Sequence, residues 1–193
     1  AGDVDDPTGG VRLVIPARGN YRRAGFIPSP SGTCRPPPLS TGWHADPFLR
    51  HLTPLFSRAT DIAIIAAFVQ DSGVHRLEGH IHAALDRGAR VRVLTGDYLH
   101  ITQAHALHRL LDIGRAPAVG ESGEAASSRP GTFDLRVAEV ARLDPPAASF
   151  HPKSWIFMEP ESGCAFVGSS NVSQAALTDG VEWNCRVDRE RDP

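Results

Sequence analysis

The residues best suited to chemistry lie in the C-terminal third of the chain. His151 and Lys153 stand two apart in a segment predicted to be a strand, so both side chains would project from one face. An imidazole beside an ammonium suits phosphoryl transfer, because the lysine can neutralise a phosphate oxygen while a neutral histidine nitrogen attacks phosphorus. Lys153 is also the only lysine among 20 basic residues. The pair therefore predicts a phosphate-ester site.

A second polar segment, 168–171, follows the pair and reads Gly-Ser-Ser-Asn. It connects a predicted strand to a predicted helix, and backbone N–H groups at such a turn, with a helix dipole behind them, can bind an anion. Gly168, Ser169, Ser170 and Asn171 are therefore the predicted phosphate-binding residues. Alone, each of the two segments is typical of a solvated strand face or a helix cap, but their order and context favour function.

A carboxylate completes the predicted set of catalytic residues. Glu182 lies on the last predicted strand, within the sequence Val-Glu-Trp-Asn. A carboxylate in this place could hold the imidazole of His151 in the required tautomer and stabilise its cation. The three catalytic candidates are therefore His151, Lys153 and Glu182.

This order of His-x-Lys, Gly-Ser-x-Asn and a downstream Glu resembles the HKD signature of the phospholipase D superfamily, especially its short bacterial nuclease branch. In that family two copies of the motif form one site that needs no metal. One histidine becomes a covalent phosphohistidine, and the histidine of the other copy protonates the leaving oxygen. Because this chain has one copy, the resemblance implies a homodimer that shares its active site, with no metal and no cofactor.

The likeness extends upstream to the segments 68–73, 90–98 and 176–184. These are similar to the phospholipase D-like domain at the N-terminus of certain bacterial DEAD/DEAH-box helicases and related restriction-type nucleases. The resemblance covers residues 43 to 188 and implies a DNA nuclease, with a helicase motor further along a longer protein. A phosphate-binding loop of the Gly-x4-Gly-Lys-Ser/Thr type does not occur in this sequence, so these residues do not encode ATP binding.

One position departs from the family pattern, which has an aspartate five residues after the lysine. Met158 stands there, and its neighbour Glu159 would point to the opposite strand face. The departure keeps open a non-catalytic module that binds phosphate or nucleic acid for a helicase. A phospholipid phosphodiesterase or transferase is a weaker alternative, because the sequence has no apolar or amphipathic element for docking on a membrane.

The elements that must position these residues alternate strands and helices. Strands at 62–69 and 90–95 and helices at 72–87 and 102–114 predict a parallel β-α-β arrangement with a right-handed crossover. Further strands are predicted at 133–139, 149–158, 164–168 and 181–187, with a short helix at 172–178. The fold class is therefore α/β, with a mixed, mostly parallel sheet flanked by helices, as the resemblance to phospholipase D-like nucleases also implies.

The domain boundaries follow from composition. Residues 1–42 are rich in Gly, Pro and Arg, which disfavours a packed core and predicts a disordered tail or linker. We expect one phosphodiesterase domain at 43–188, a long loop at 115–132, and the start of a further linker at 189–193. The chain begins at Ala1, and its only methionine is Met158, so we expect it to be a fragment of a longer protein.

Bulk composition limits the class of protein. With 41% hydrophobic and 22% charged residues the chain is typical of a soluble globular protein, and no apolar run approaches the roughly 20 residues of a membrane span. Its net charge of −2 gives no overall attraction to nucleic acid, so a polyanion site must be a local patch. Three cysteines without a Cys-x-x-Cys pair indicate a reduced, cytoplasmic setting.

Several other residues have a structural and a functional interpretation. The histidine pairs 80/82 and 105/108 lack a completing carboxylate or cysteine cluster, so we predict exposed helix faces and no metal site. Cys164 and Cys185 are predicted to be buried, as is Trp183, whose neighbours on the strand face are apolar. Asp97 and Tyr98 follow a strand, where they are equally compatible with a cleft lining or an ordinary turn.

Overall fold

The computed structural model describes residues 39–116, 130–143 and 149–189. The predicted tail up to residue 38, the predicted loop from 117 to 129 and the end of the predicted linker lie outside these ranges. Eleven α-helices and β-strands occur within them. They are β1 Leu39–Gly42, α1 Phe48–Phe56, β2 Asp61–Ile65, α2 Asp71–Asp86, β3 Arg90–Gly96, α3 Ala104–Arg115, β4 Thr132–Ala138, β5 Ser154–Met158, β6 Gly163–Gly168, α4 Gln174–Leu177 and β7 Val181–Asp188.

The seven strands form one mixed sheet in the order β1-β7-β6-β5-β2-β3-β4. Only the pairs β2/β3 and β3/β4 are parallel, whereas the four other neighbouring pairs are antiparallel. The predicted α/β class with a mixed sheet is confirmed, but the expectation of a mostly parallel sheet is wrong. Its physical reason is connection length: β5 and β6 are separated by residues 159–162 alone, which is too short for the crossover that parallel strands require.

The parallel half of the molecule consists of β2, β3 and β4 with the crossover helices α2 and α3. Its strands alternate buried and partly exposed residues, and the buried ones meet the apolar stripes of the helices in a single core. Ile62 and Val91 on the strands and Leu77 and Ile81 on α2 are all less than 2% exposed. Helix periodicity and strand alternation therefore position this half.

The antiparallel half consists of β5, β6, β7 and β1. Phe166 of β6 and Trp155 of β5 are buried against Phe48 of α1, with ring centroids 5.3 and 5.6 Å apart in edge-to-face geometry. Helix α1 is continuous from Phe48 to Phe56 although Pro54 lies inside it. Ordered structure begins earlier than the predicted start near residue 43, because Leu39 already pairs with Cys185 of β7.

No helix in the described ranges is long and apolar enough to cross a membrane.

Candidate active site

The motif residues converge at one end of the sheet. Strands β2, β3 and β6 finish there, whereas β5 and β7 begin there, because these two run in the opposite direction. The backbone N–H of Gly168, at the end of β6, donates to the carbonyl of Lys153 at 3.3 Å. Residues separated along the chain therefore meet at the carboxyl ends of the parallel strands. Open α/β sheets commonly bind their ligands at this end.

His151 and Lys153 contact each other directly. The ammonium nitrogen Nζ of Lys153 lies 2.7 Å from Nδ1 and 3.1 Å from Nε2 of His151, and it donates to the His151 carbonyl at 2.9 Å. The predicted strand position is wrong, since β5 begins only at Ser154 and both residues precede it. The pair therefore meets because the lysine folds back over the segment that leads into the strand.

Lys153 is a buried cation, with a relative exposure of 8%. Burial lowers the pKa of its ammonium below the usual 10.5, because desolvation disfavours the charged form. The nearby carboxylate of Glu182 opposes this effect and raises the pKa. An ammonium held in so dry a place has few water molecules to lose when it meets a phosphate oxygen, so the lysine is well prepared for an anion.

The His151 ring is exposed, yet its surroundings fix where it can lie. The ring of Tyr98 stands 6.3 Å away, centroid to centroid, at an interplanar angle of 82°. Phe150, just before the histidine, packs over Gly96, where an added Cβ would come within 2.7 Å of the phenyl ring. The sequence is compatible with Asp97 and Tyr98 either lining a cleft or forming an ordinary turn. Tyr98 lines the site, whereas Asp97 has a structural contact, because its carboxylate accepts from the backbone N–H of Val140 at 3.0 Å.

Glu182 contacts Ser169 instead of His151. The Ser169 hydroxyl donates to Oε2 of Glu182 and accepts from the backbone N–H of Trp183 at 3.0 Å. Hydrogen bonding between Glu182 and His151, which the sequence predicts, does not occur within the described chain. Glu182 thus acts on the serine and, through its charge, on Lys153.

Ser170 supports the loop from inside the protein. It is fully buried, its hydroxyl accepts from Nδ2 of Asn184 at 2.8 Å, and its carbonyl accepts from the indole N–H of Trp155 at 3.1 Å. Both partners come from neighbouring strands, which fixes the position of the loop. Although Ser170 is predicted to bind phosphate, its hydroxyl is already occupied, and we assign it a structural role.

Gly168 is required by close approach of the backbone. A Cβ on this residue would lie 2.0 Å from the carbonyl oxygen of Trp183 and 2.6 Å from Oδ1 of Asn184. No side chain fits in that space, so the predicted phosphate-binding glycine also allows β6 and β7 to approach each other at the site.

Asn171 connects the two halves of the molecule. Its side chain is buried, and its Oδ1 accepts from the backbone N–H of Phe68 at 3.2 Å. The bridge between Val69 and Val172 lies beside this bond. The expected helix-dipole anion site is not built behind Asn171, because α4 is only four residues long and begins at Gln174. Side chains and the turn backbone are the remaining donors.

Met158 lies far from the site. It is the last residue of β5, paired with Gly163 and with Asp61, whereas the site is at the beginning of that strand. Five residues of extended chain span about 16 Å. A side chain at this position cannot reach a ligand beside Lys153, so the methionine removes nothing from the candidate site.

The non-glycine residues with positive φ in the described ranges all lie at the site end of the sheet. They are Trp43, with φ of 64°, and the neighbouring Leu99 and His100, with φ of 56° and 54°. Left-handed backbone costs a non-glycine residue about 1–2 kcal/mol. Such strain concentrates at functional sites, where the surrounding structure maintains it.

The remaining histidines serve other purposes. His80 stacks on Phe56 with centroids 5.7 Å apart, and its pKa is lowered by burial. His105 and His108 line a cleft of about 480 Å³ between α2 and α3, away from the motif residues. Within 39–116, 130–143 and 149–189 no cluster of three or more His, Cys, Asp or Glu residues is arranged to hold a metal ion.

Two further sequence predictions concern burial on β6 and β7. Cys164 is buried as predicted, and burial raises the pKa of its thiol. Cys185 is exposed, and Trp183 has 66% of its surface exposed, so both predictions of burial are wrong. These two residues lie on a sheet face against which the described helices do not pack.

Comparison with known proteins assigns no family to the chain. No protein-family model matches the chain, and no curated protein matches it by sequence. Among solved structures it is similar to a polyphosphate kinase from Porphyromonas gingivalis, with a TM-score of 0.44 and 13% sequence identity. This likeness covers 72% of the present chain and 18% of the kinase chain. At so low a score the likeness does not indicate what this chain does.

Proposed function

We propose that the chain is a metal-independent phosphodiesterase domain of the phospholipase D type that acts on DNA. The observation that supports this most directly is the contact of 2.7 Å between Nζ of Lys153 and Nδ1 of His151. An ammonium can only donate, and of the two ring nitrogens within its reach a neutral imidazole offers one as the acceptor. A neutral histidine is the form that can attack phosphorus.

The proposed reaction has two displacement steps. In the first, Lys153 moves its hydrogen bonds from His151 to a non-bridging phosphate oxygen, and the freed ring nitrogen attacks phosphorus in line. The N–P bond forms, the P–O bond to one sugar breaks, and an acid gives the leaving oxygen a proton. Water then attacks phosphorus and gives a proton to the conjugate base of that acid, the N–P bond breaks, and both the histidine and the acid are restored. The sum is one diester and one water converted into a monoester and an alcohol.

The acid in this scheme is the His151 of a second copy of the chain. The described residues of one chain bring only one histidine beside Lys153. A homodimer with the site on its two-fold axis would supply the second imidazole. Attachment to a helicase motor further along a longer protein is part of the same proposal. It rests on the resemblance of residues 43 to 188 to helicase-associated domains.

A binding-only module is the competing proposal. It draws on the methionine at the position of the family's aspartate, but Met158 lies at the far end of β5. Because Met158 is far from the candidate site, its presence is a weak reason to expect a site without catalytic activity. The contact between His151 and Lys153 remains an argument for catalysis. The phospholipid alternative has no further support in the described residues.

The test measures cleavage of DNA by the chain with and without EDTA. We expect activity in EDTA, and a loss of about 10⁴-fold in His151→Ala because the nucleophile is missing. The control variant is His108→Ala, which removes an exposed histidine on α3 and should cleave normally. Denaturation at alkaline pH, which preserves the acid-labile N–P bond, should trap a phosphohistidine in the unmodified chain and in His108→Ala but not in His151→Ala.

Two outcomes would contradict the proposal. Strong inhibition by EDTA would indicate metal-dependent hydrolysis. Undiminished cleavage by His151→Ala would show that His151 is not the nucleophile. DNA binding without any trapped intermediate would favour the binding-only module. The shared site makes a separate prediction: specific activity should fall when the protein is diluted below the concentration at which it dimerises.

A further inference from the structure

Two tryptophans lie on the β1/β7 side of the candidate site, and the proposed reaction does not use either of them. Trp43 follows directly after β1, and Trp183 is the third residue of β7. Both lie at the site end of the sheet, because Gly42 pairs with Val181 and the N–H of Trp43 donates to the Gly180 carbonyl at 2.7 Å. The strand order places Trp183 two strands and Trp43 three strands from β5, which begins just after Lys153.

Trp183 is bonded to a candidate phosphate-binding residue. Its N–H donates to the Ser169 hydroxyl at 3.0 Å, and its carbonyl accepts from the N–H of Ser169, also at 3.0 Å. Along β7 the side chains alternate, so the indole projects to the sheet face opposite Glu182. A ligand whose phosphate lies near Ser169 has the indole next to it, across the end of the sheet.

Both rings are displayed to solvent. Trp43 is 54% exposed and Trp183 is 66% exposed, whereas the third tryptophan, Trp155, is completely buried. Exposing a large aromatic ring forfeits burial that stabilises a folded protein, so exposed tryptophans beside a site indicate a binding surface.

Trp43 is also held in a strained conformation. Its φ of 64° follows a φ of 67° at Gly42, so two successive residues have left-handed backbone. Asp46 maintains this turn, because its carboxylate accepts from the N–H of Thr41 and its own N–H donates to the Trp43 carbonyl, both at 3.1 Å. A tryptophan in a position that suits glycine indicates that the ring itself is useful there.

We propose that Trp43 and Trp183 stack on unpaired bases on one side of the cleaved phosphate, so that the substrate class is single-stranded nucleic acid. The inference rests on the proposed phosphodiesterase function. In a duplex the faces of the bases are covered by their neighbours, whereas a single strand offers them to aromatic side chains. Phosphate esters without a planar group gain nothing from the two rings.

The experiment measures binding with fluorescently labelled strands and the full chain carrying His151→Ala, so that cleavage does not interfere. The probes are a single strand of DNA, the same length of abasic strand and the matching duplex. We expect the base-bearing single strand to bind about tenfold or more tightly than the abasic strand, because stacking acts on each base. Trp43→Ala and Trp183→Ala should each reduce this factor, whereas Trp183→Phe should retain most of it.

The matched control is Val187→Ala, which removes an exposed apolar side chain at the far end of the same strand as Trp183 and should change none of the affinities. Equal binding of base-bearing and abasic strands would overturn the inference, as would preferred binding of the duplex. A change of oligomeric state in Trp183→Ala would also overturn it, by placing the indole between two chains.

The proposed function and this inference fail separately. Base-dependent binding by a chain that never cleaves would contradict the phosphodiesterase and leave the stacking surface standing. If duplex and single strand were cleaved at equal rates and Trp183→Ala had no effect, the phosphodiesterase would stand and the stacking surface would be contradicted.

Discussion

The parallel and antiparallel halves of this molecule contribute different parts of the candidate site. The parallel half, with β2, β3 and β4 under α2 and α3, places its strands against two helices and contributes Tyr98 to the candidate site. The antiparallel half, with β5, β6, β7 and β1, contributes the chemical groups. His151 and Lys153 precede β5, Ser169 follows β6, and Glu182 lies on β7.

Two glycines, one in each half, differ in the space around them. Helix α2 has open space around one of its glycines, because nothing lies within 4 Å of a Cβ added to Gly79. Around Gly168 the backbone of β7 is so near that a Cβ cannot be accommodated. Close approach of backbone is not confined to the antiparallel half, since a Cβ on Gly73 or Gly131 would also lie 2.4 Å from a backbone atom. Tolerance of substitution is therefore set at each position.

The sharpest test of this contrast replaces one glycine by alanine in each half. Gly168→Ala should lower the free energy of unfolding by about 3 kcal/mol or more, because the Cβ collides with the Trp183 carbonyl and β6 and β7 must separate. Gly79→Ala should raise it by about 0.5–1 kcal/mol, since alanine favours a helix interior. Urea unfolding of both variants gives the comparison, and similar effects would show that the nearby backbone does not limit substitution at Gly168.

A second test separates stability from chemistry inside the antiparallel half. Lys153→Met should reduce DNA cleavage by about 10²–10³-fold, because the charge that would stabilise the phosphate is lost. It should leave the unfolding free energy at neutral pH unchanged or higher, because the buried ammonium no longer has to be desolvated.

The pH dependence of the Lys153→Met comparison follows from the pKa. Since the folded pKa of Lys153 is below 10.5, the unfolded chain binds more protons between the two values, and the unmodified protein gains stability as pH rises through that window. The advantage of Lys153→Met should therefore shrink towards pH 10.5. A variant that is less stable at every pH would contradict the cost of burial.

The smallest effect is expected in the parallel half, at His80. Burial lowers its pKa below 6.5, so below that pH the unfolded chain takes up a proton more readily and the folded state loses stability. His80→Asn should reduce the fall in Tm between pH 7.5 and pH 5 by about 1–2 °C. His75→Asn, an exposed histidine on the same helix, is the control, and an equal effect there would contradict the role of burial.

Sequence alone predicts the parallel half well because its signals are local. Helix α2 is expected at 72–87 and found at Asp71–Asp86, since an apolar stripe defines the helix and a glycine follows its end. In the antiparallel half the apolar alternation is equally clear, yet it does not indicate which face a helix will cover. Trp183 was predicted to be buried and is exposed for that reason.

The site shows the same division. Its residues can be found from order and spacing, together with a family resemblance, but their contacts depend on the register between strands. Pairing of Gly168 with Asn184 brings Ser169 to Glu182, and no local pattern encodes that register. The turn that exposes Trp43 is likewise stabilised by hydrogen bonds with Asp46 and Gly180. The periodicity of helices and strands does not predict such a turn.

The bond from the Trp155 indole to the carbonyl of Ser170 has a spectroscopic consequence. A tryptophan with no solvent exposure emits at short wavelength, and this one is hydrogen-bonded to the loop between Ser169 and Asn171. In a chain with Trp43 and Trp183 replaced by phenylalanine, the remaining emission would come from that indole alone. The fluorescence of such a chain would record each rearrangement of the loop in real time, without an attached dye.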